Sequence, residues 1–420
     1  MLDRNILAAR VMNQCDALAA ISAESDGISR FYLTEEHQRC NELVAQWMQA
    51  AGMRTWTDAA GNLWGRYEGR RPDAKALLLG SHLDSIPNAG RYDGILGVLV
   101  AIAAVDALHQ QQIQLPFAIE IVGFGDEEGT RFGSTLLGSR AVAGTWNENW
   151  WSLADRDGIT LADAFRKFGL APENIDSAAR DSTDFLAYLE VHIEQGPVLE
   201  DTDHALGIVT SIAGARRFTV DVEGFAGHAG TVPMHMRKDA LLTAALGVEL
   251  IDRYAREHGV VATVGQLACW PGAVNVIPGR ARFSIDIRSG DDHLRDQTLK
   301  QIQQAFEALC HERHVTCSWT EIHNAPAVQC AQWMQELQAQ VLEDMHLEAV
   351  TLMSGAGHDA MAIADITDVA MYFVRCKGGV SHHPAESVMV EDVALAIEAL
   401  NKTLVRIAQN TGDESVGVAV

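Results

Sequence analysis

Five short clusters of imidazole and carboxylate side chains, most of them just past a run of apolar residues, constrain this chain more than any other feature. They are GSHLDS at Gly80–Ser85, the isolated acid Asp93 in RYDG, the pair Glu127–Glu128 in GDEEG, the stretch Glu190-Val-His192-Ile-Glu194, and Ser381-His382-His383-Pro384. The runs ALLLG, FAIEIVGF and VAMYFVRC that precede three of them have strand length, and helical patterns such as Gly94–His109 alternate with them. That alternation predicts an α/β layer with a mostly parallel sheet, in which ligands sit beyond the carboxyl ends of the strands. Imidazole and carboxylate without cysteine form a ligand set suited to a pair of zinc or manganese ions.

Each cluster has its own logic. His82 and Asp84 lie one residue apart at a strand end, so the acid can orient the imidazole and fix its tautomer. A histidine satisfied in a turn is the plainer alternative. Asp93 precedes Gly94 at the start of an apolar helix, where it can cap that helix, bridge two cations, or do both. In GDEEG one carboxylate can bind metal while its neighbour takes a proton from water, so Glu128 is assigned to the metal and Glu127 to the general base. His192 shares one strand face with Glu190 and Glu194, and three polar groups there are costly to bury without partners. His382 and His383 are consecutive, so one of them is expected to reach the ion, and the residues alone do not choose which.

At 420 residues and 48% hydrophobic, the chain exceeds what one core usually serves, which predicts two domains. Between Ile212 and Gln329 the pattern runs strand (Arg217–Glu223), helix (Asp239–His258), strand (Val260–Trp270), strand (Ala281–Arg288), helix (Asp292–Glu312), strand (Val315–Glu321). That βαββαβ order predicts a ferredoxin-like domain inserted at 212–329, hinged near Ser211–Gly214 and Asn324–Val328. The catalytic domain is then discontinuous, 1–211 and 330–420. The net charge of −24 argues against nucleic acid and anionic membrane as partners. No apolar run is long enough to span a bilayer and the start lacks a secretory signal, so a cytoplasmic protein is expected. Seven scattered cysteines without a CxxC pair predict reduced packing residues. The polar tail from Asn410 is expected to be loosely ordered.

From DAAGNLWGR at Asp58–Arg66 to SHHPAE at Ser381–Glu386, the motifs GSHLDS, DEEGTRF, LEVHIEQG, GHAGTVPM, NVIPG and SGAGHDAM occur in one order. Together they resemble the metal-dependent amidohydrolases that include allantoate amidohydrolase and N-carbamoyl-L-amino-acid hydrolase, a branch of the two-metal aminoacylase and carboxypeptidase superfamily. The resemblance implies two divalent ions per subunit, manganese or zinc and in some members cobalt, held by His82, His192, Glu128 and His382 with Asp93 bridging. It assigns Glu127 and Asp84 to catalysis. It further implies that His228 stabilises the oxyanion and that Gln195, Asn275, Arg288, Gly357 and His358 contact substrate. Family members place Asn or Ser after the ligand histidine, where this chain has His383. The implied substrate is a small ureido-carboxylate, most closely allantoate, converted to ureidoglycine, ammonia and carbon dioxide. N-carbamoyl-L-amino acids are the runner-up, followed by ureidoglycolate and peptides cleaved by a metallo-exopeptidase. A homodimer formed through the inserted lid domain is implied as well.

Overall fold

The computed structural model describes residues 4–410. The tail beyond Asn410 therefore lies outside the described residues. The chain divides into two compact units: a larger one built from residues up to Thr210, Cys330–Leu352 and from Gly357 onward, and a smaller one of Ser211–Gln329 with Met353–Ala356. The four residues Met353–Ala356 fall in a stretch that sequence assigns to the larger domain, and they pack instead with the smaller one.

In the larger unit, strands hydrogen-bond in the order Arg54–Thr57, Leu63–Tyr67, Ala118–Phe124, Ala76–His82, Phe185–Ile193, Val369–Val374 and Leu206–Ile212. The four central strands are mutually parallel, with His82 beside Phe124 and Phe373 beside His192. The flanking strands are antiparallel. Parallelism is thus confined to the centre of the sheet. Strands Ala76–His82, Ala118–Phe124 and Val369–Val374 are buried at every residue. Helices cover both faces, which is why these strands read as continuous apolar runs rather than alternating ones.

Helix Ile95–Gln110 is buried through Leu108 and packs on the strands Ala76–His82 and Phe185–Ile193. A helix apolar all round belongs in a core. Its one buried acid, Asp106, pairs with Arg10 at 2.5 Å. Close approach depends on Gly97, where an added Cβ would meet the Val191 carbonyl oxygen at 2.0 Å.

The smaller unit is an antiparallel sheet in the order Leu267–Trp270, Arg280–Ser289, Gly214–Glu223, Thr316–Ala325, with helices Ala240–His258 and Asp292–Glu312 joining its strands. The strand expected at Val260–Trp270 is split into Val261–Thr263 and Leu267–Trp270, both paired with Arg280–Ser289. Three intervening residues on one side face two on the other, so the break around Gly265 is a bulge that kinks the edge. No disulfide joins the seven cysteines, and five of them are buried. No helix among the described residues is long and apolar enough to cross a membrane.

Candidate metal centre

At the carboxyl ends of the central strands, all five sequence clusters meet. His82 ends its strand, Glu127 and Glu128 follow Phe124 by three and four residues, and His192 is the penultimate residue of its strand. Donor atoms of His82, Asp93 and His192 lie within 4.8 Å of one another, as do those of His82, Glu127 and Glu128, and those of Asp93, Glu128 and His382. Asp93 is the hub. Its Oδ1 is 3.6 Å from His82 Nε2 and 3.2 Å from His192 Nε2, and its Oδ2 is 3.3 Å from His382 Nε2. His382 Nε2 is also 3.5 Å from Glu128 Oε1.

Asp93 is no helix cap. The N-cap of Ile95–Gln110 is Gly94, in the left-handed region at φ 69° and without a side-chain cap. A Cβ at Gly94 would lie 2.4 Å from His82 Nε2, so only glycine lets the Asp93 loop pass this close to the imidazole. The choice between the consecutive histidines also falls to geometry. His382, at φ 56°, turns toward Asp93 and Glu128, whereas His383 Nδ1 accepts the Ala385 N–H at 3.1 Å. His383 thereby makes the local backbone bond that an Asn or Ser at that position offers.

Asp84 holds more than the imidazole expected of it. His82 Nδ1 faces the Asp84 backbone carbonyl at 3.2 Å, with the carboxylate slightly further away at 3.4 Å. The carboxylate also accepts the backbone N–H groups of Glu127 at 3.0 Å and Glu128 at 3.2 Å. It fixes the acidic pair from behind.

Of the three polar residues of LEVHIEQG, Glu190 and His192 have donor atoms within 4.8 Å of each other and of His358, and Glu194 stands apart. Glu190 is buried and accepts the Ser81 hydroxyl at 2.7 Å and the Tyr188 hydroxyl at 3.1 Å. Glu194 lies past the strand end and accepts the N–H groups of Val198 and Leu199. Gln195, at φ 57°, donates from Nε2 to Asp93 Oδ2 at 3.0 Å. His358 is buried edge-on against His192, with ring centroids 4.5 Å apart, and burial followed by the nearby His192 holds its pKa well below the usual value. Gly357 stands where an added Cβ would come 3.8 Å from Glu127 Oε1.

His228, Asn275 and Arg288 belong to the smaller unit. There His228 pairs with Val276 on a two-residue strand, and the Asn275 carbonyl accepts the Ala229 N–H at 2.9 Å. Arg288 is held by both carboxylate oxygens of Asp286, at 2.7 and 3.0 Å, and donates to the Gly355 carbonyl at 2.7 Å.

The donor set fits divalent cations. His192 Nδ1 faces the Ile193 carbonyl at 2.9 Å, which assigns that nitrogen the proton and leaves Nε2 with a lone pair aimed at the Asp93 carboxylate. Nε2 is buried without a hydrogen-bond partner. Two lone pairs facing each other across 3.2 Å repel unless positive charge lies between them. Among the described residues no Lys or Arg pairs with Asp84, Asp93, Glu127 or Glu128. Burial, reinforced by Asp93 and Asp84, accordingly pushes Glu128 up to about 7, against the pull of His82. Burial, with Glu128, Asp359 and Asp84 adding to it, raises Glu127 well above the usual carboxylate range.

The chain is similar to known proteins over most of its length. The profile of Peptidase family M20/M25/M40 matches residues 78–406. An N-carbamoyl-L-amino acid amidohydrolase of Geobacillus stearothermophilus is 41% identical over 386 residues, 92% of this chain and 94% of that protein. Allantoate deiminase 1 of Glycine max is 38% identical over 410 residues, 90% of this chain and 84% of its own length. A hydantoinase/carbamoylase family amidase from Burkholderia ambifaria superposes with a TM-score of 0.89 at 33% identity, covering 96% of this chain and 97% of that one.

Proposed function

Because this chain belongs to peptidase family M20/M25/M40, we propose that it hydrolyses the ureido group of a small carboxylate, with allantoate as the substrate. The observation that carries this reading is the overlap of three donor groups, His82–Asp93–His192, His82–Glu127–Glu128 and Asp93–Glu128–His382, each within 4.8 Å. His82, Asp93, Glu128, His192 and His382 would hold two divalent ions, manganese or zinc, which when bound make a water acidic and take up charge from the carbonyl oxygen.

Glu127 takes the proton from the attacking water. It then passes that proton to the departing nitrogen. Asp84 keeps Glu127 and Glu128 in place through their backbone N–H groups. Addition of water to R–NH–CO–NH2 and loss of ammonia leave R–NH–COOH, which splits into R–NH2 and carbon dioxide. Arg288 and Asn275 are assigned to the substrate carboxylate, and His228 to the oxyanion. The Asp286 pairing supports Arg288 by fixing the planar guanidinium for two-point contact.

The reading includes a cytoplasmic homodimer. Among the described residues, ten of the fourteen exposed large apolar side chains lie in the smaller unit, Leu242, Leu246, Val261 and Leu267 among them. That supports the smaller unit as the dimer surface.

N-carbamoyl-L-amino acids form the second reading, favoured by the 41% identity to the Geobacillus stearothermophilus protein. Manganese-loaded protein assayed for ammonia release on allantoate, ureidoglycolate and an N-carbamoyl-L-amino acid decides between them. Allantoate is expected to give the highest kcat/KM, and absence of turnover on it overturns the first reading.

A further inference from the structure

Two segments that contribute to the centre, Gly90–Gly94 and Ser381–Glu386, are joined by one buried carboxylate. Glu386 is 4% exposed. Its Oε1 accepts the backbone N–H groups of Tyr92 at 2.8 Å and Asp93 at 3.2 Å, and its Oε2 accepts the Ser381 hydroxyl at 2.9 Å. The partners Asp93 and Glu386 are 293 residues apart in the chain.

Local geometry aims Glu386 as firmly as it aims His382. The Glu386 N–H donates to the His383 carbonyl at 3.0 Å and the Ala385 N–H to His383 Nδ1 at 3.1 Å, so one tight turn presents both residues. On the opposite side, a Cβ at Gly90 would lie 2.2 Å from Glu386 Oε1. The carboxylate therefore rests against bare backbone with one position open to it. Ser381 extends the link, because its hydroxyl oxygen is 3.3 Å from Asp93 Oδ2 and receives Gln195 Nε2 at 3.2 Å.

The two backbone N–H groups share Oε1, which an amide oxygen can also serve, and the group at the Oε2 position faces a hydroxyl that can either donate or accept. Burying a carboxylate close to Asp93 is costly, and the three hydrogen bonds offset that cost. Glu386 belongs to none of the groups whose donor atoms converge on the centre.

We propose that Glu386 is a positioning residue: by tying the Tyr92–Asp93 backbone to Ser381 it fixes the Asp93 carboxylate and the His382 imidazole in one relation, and so sets the affinity and geometry of the cation they share. The proposal rests on the two-cation reading above.

The test uses the full-length protein loaded with cobalt(II), titrated against a chelating dye and followed by its visible absorption bands. Wild type is expected to bind two cobalt ions per chain. Glu386→Ala and Glu386→Asp, the second keeping the charge but too short to reach both segments, should weaken one of the two ions by about 10–100-fold and alter its absorption bands. Glu386→Gln keeps an oxygen for the two backbone N–H groups and should stay close to wild type. Wild-type affinity and bands in Glu386→Asp overturn the proposal. So does a Glu386→Gln as impaired as the aspartate variant, since charge and not hydrogen bonding would then be at work. Should the alanine variant fail to fold, the Asp and Gln pair carries the decision. A wild type that binds no cobalt removes the two-cation reading and this inference together, whereas unaffected variants of a two-cobalt wild type remove this inference alone.

Discussion

Glu127→Gln keeps the shape of the side chain and removes its capacity to take a proton. General base catalysis typically contributes about 10²–10⁴-fold, so kcat on the preferred substrate should fall by that factor while metal content, read by elemental analysis, stays at the wild-type level. Undiminished turnover would move the base elsewhere. A second residue sets a pH limit on stability. His37 is buried, its Nδ1 accepts the Leu33 N–H at 3.0 Å, and burial pushes the imidazole down from 6.5 to about 4. Unfolded chains bind this proton near pH 6.5 and the folded protein does not, so the stability it confers is fully present above that pH. It is lost progressively as pH falls toward about 4, by roughly 3 kcal/mol at most. Urea midpoints between pH 7.5 and 4.5 should decline less steeply in His37→Gln than in wild type; parallel declines would show that other groups set the acid limit. Residue chemistry was legible from the chain alone, for His, Asp and Glu at strand ends have few other reasons to cluster. The facing of each nitrogen was not, because Nδ1 of His82 and of His192 faces the carbonyl of a residue one or two positions on, whose direction only the folded backbone sets.

Helix Ile95–Gln110 sits on the central strands through a glycine, and that contact is where the element is most sensitive. In Gly97→Ala the new methyl would overlap the Val191 carbonyl, one residue from His192. Overpacking of this kind costs about 1–3 kcal/mol, and the roughly 1 kcal/mol that alanine gains over glycine inside a helix offsets part of it. A lowered urea midpoint with weakened metal binding is expected, and a stabilised variant would mean that the helix can shift without strain. Elements were the most readable level of the sequence. Strands buried on both faces give unbroken apolar runs of strand length, and the helix Ile95–Gln110 between two of them gives a longer run, apolar all round. The bulge around Gly265 escaped because the apolar character of Val260–Trp270 continues across it, while hydrogen-bond register with Arg280–Ser289 does not.

For the whole molecule, the proposed cation binding would be linked to folding, since its candidate ligands come from segments as far apart as His82 and His382 and no unfolded chain presents them together. Manganese at about 1,000 times its Kd should stabilise the protein by about 4 kcal/mol, seen as a rise in the thermal midpoint that a chelator reverses. A midpoint indifferent to metal and chelator would argue that these side chains hold no ion. The chain by itself determined which chemical groups are available, that they stand at strand ends, and that a βαββαβ segment interrupts the larger unit, because residue type and periodicity are properties of neighbours in sequence. Only the tertiary structure decided that His382 and not His383 faces Asp93, that Asp93 is a hub and not a helix cap, and that Glu386 is bound to the Asp93 loop. Each of those is a relation between backbone segments separated by many residues, and distance along the chain carries no information about direction in space until packing has fixed both ends.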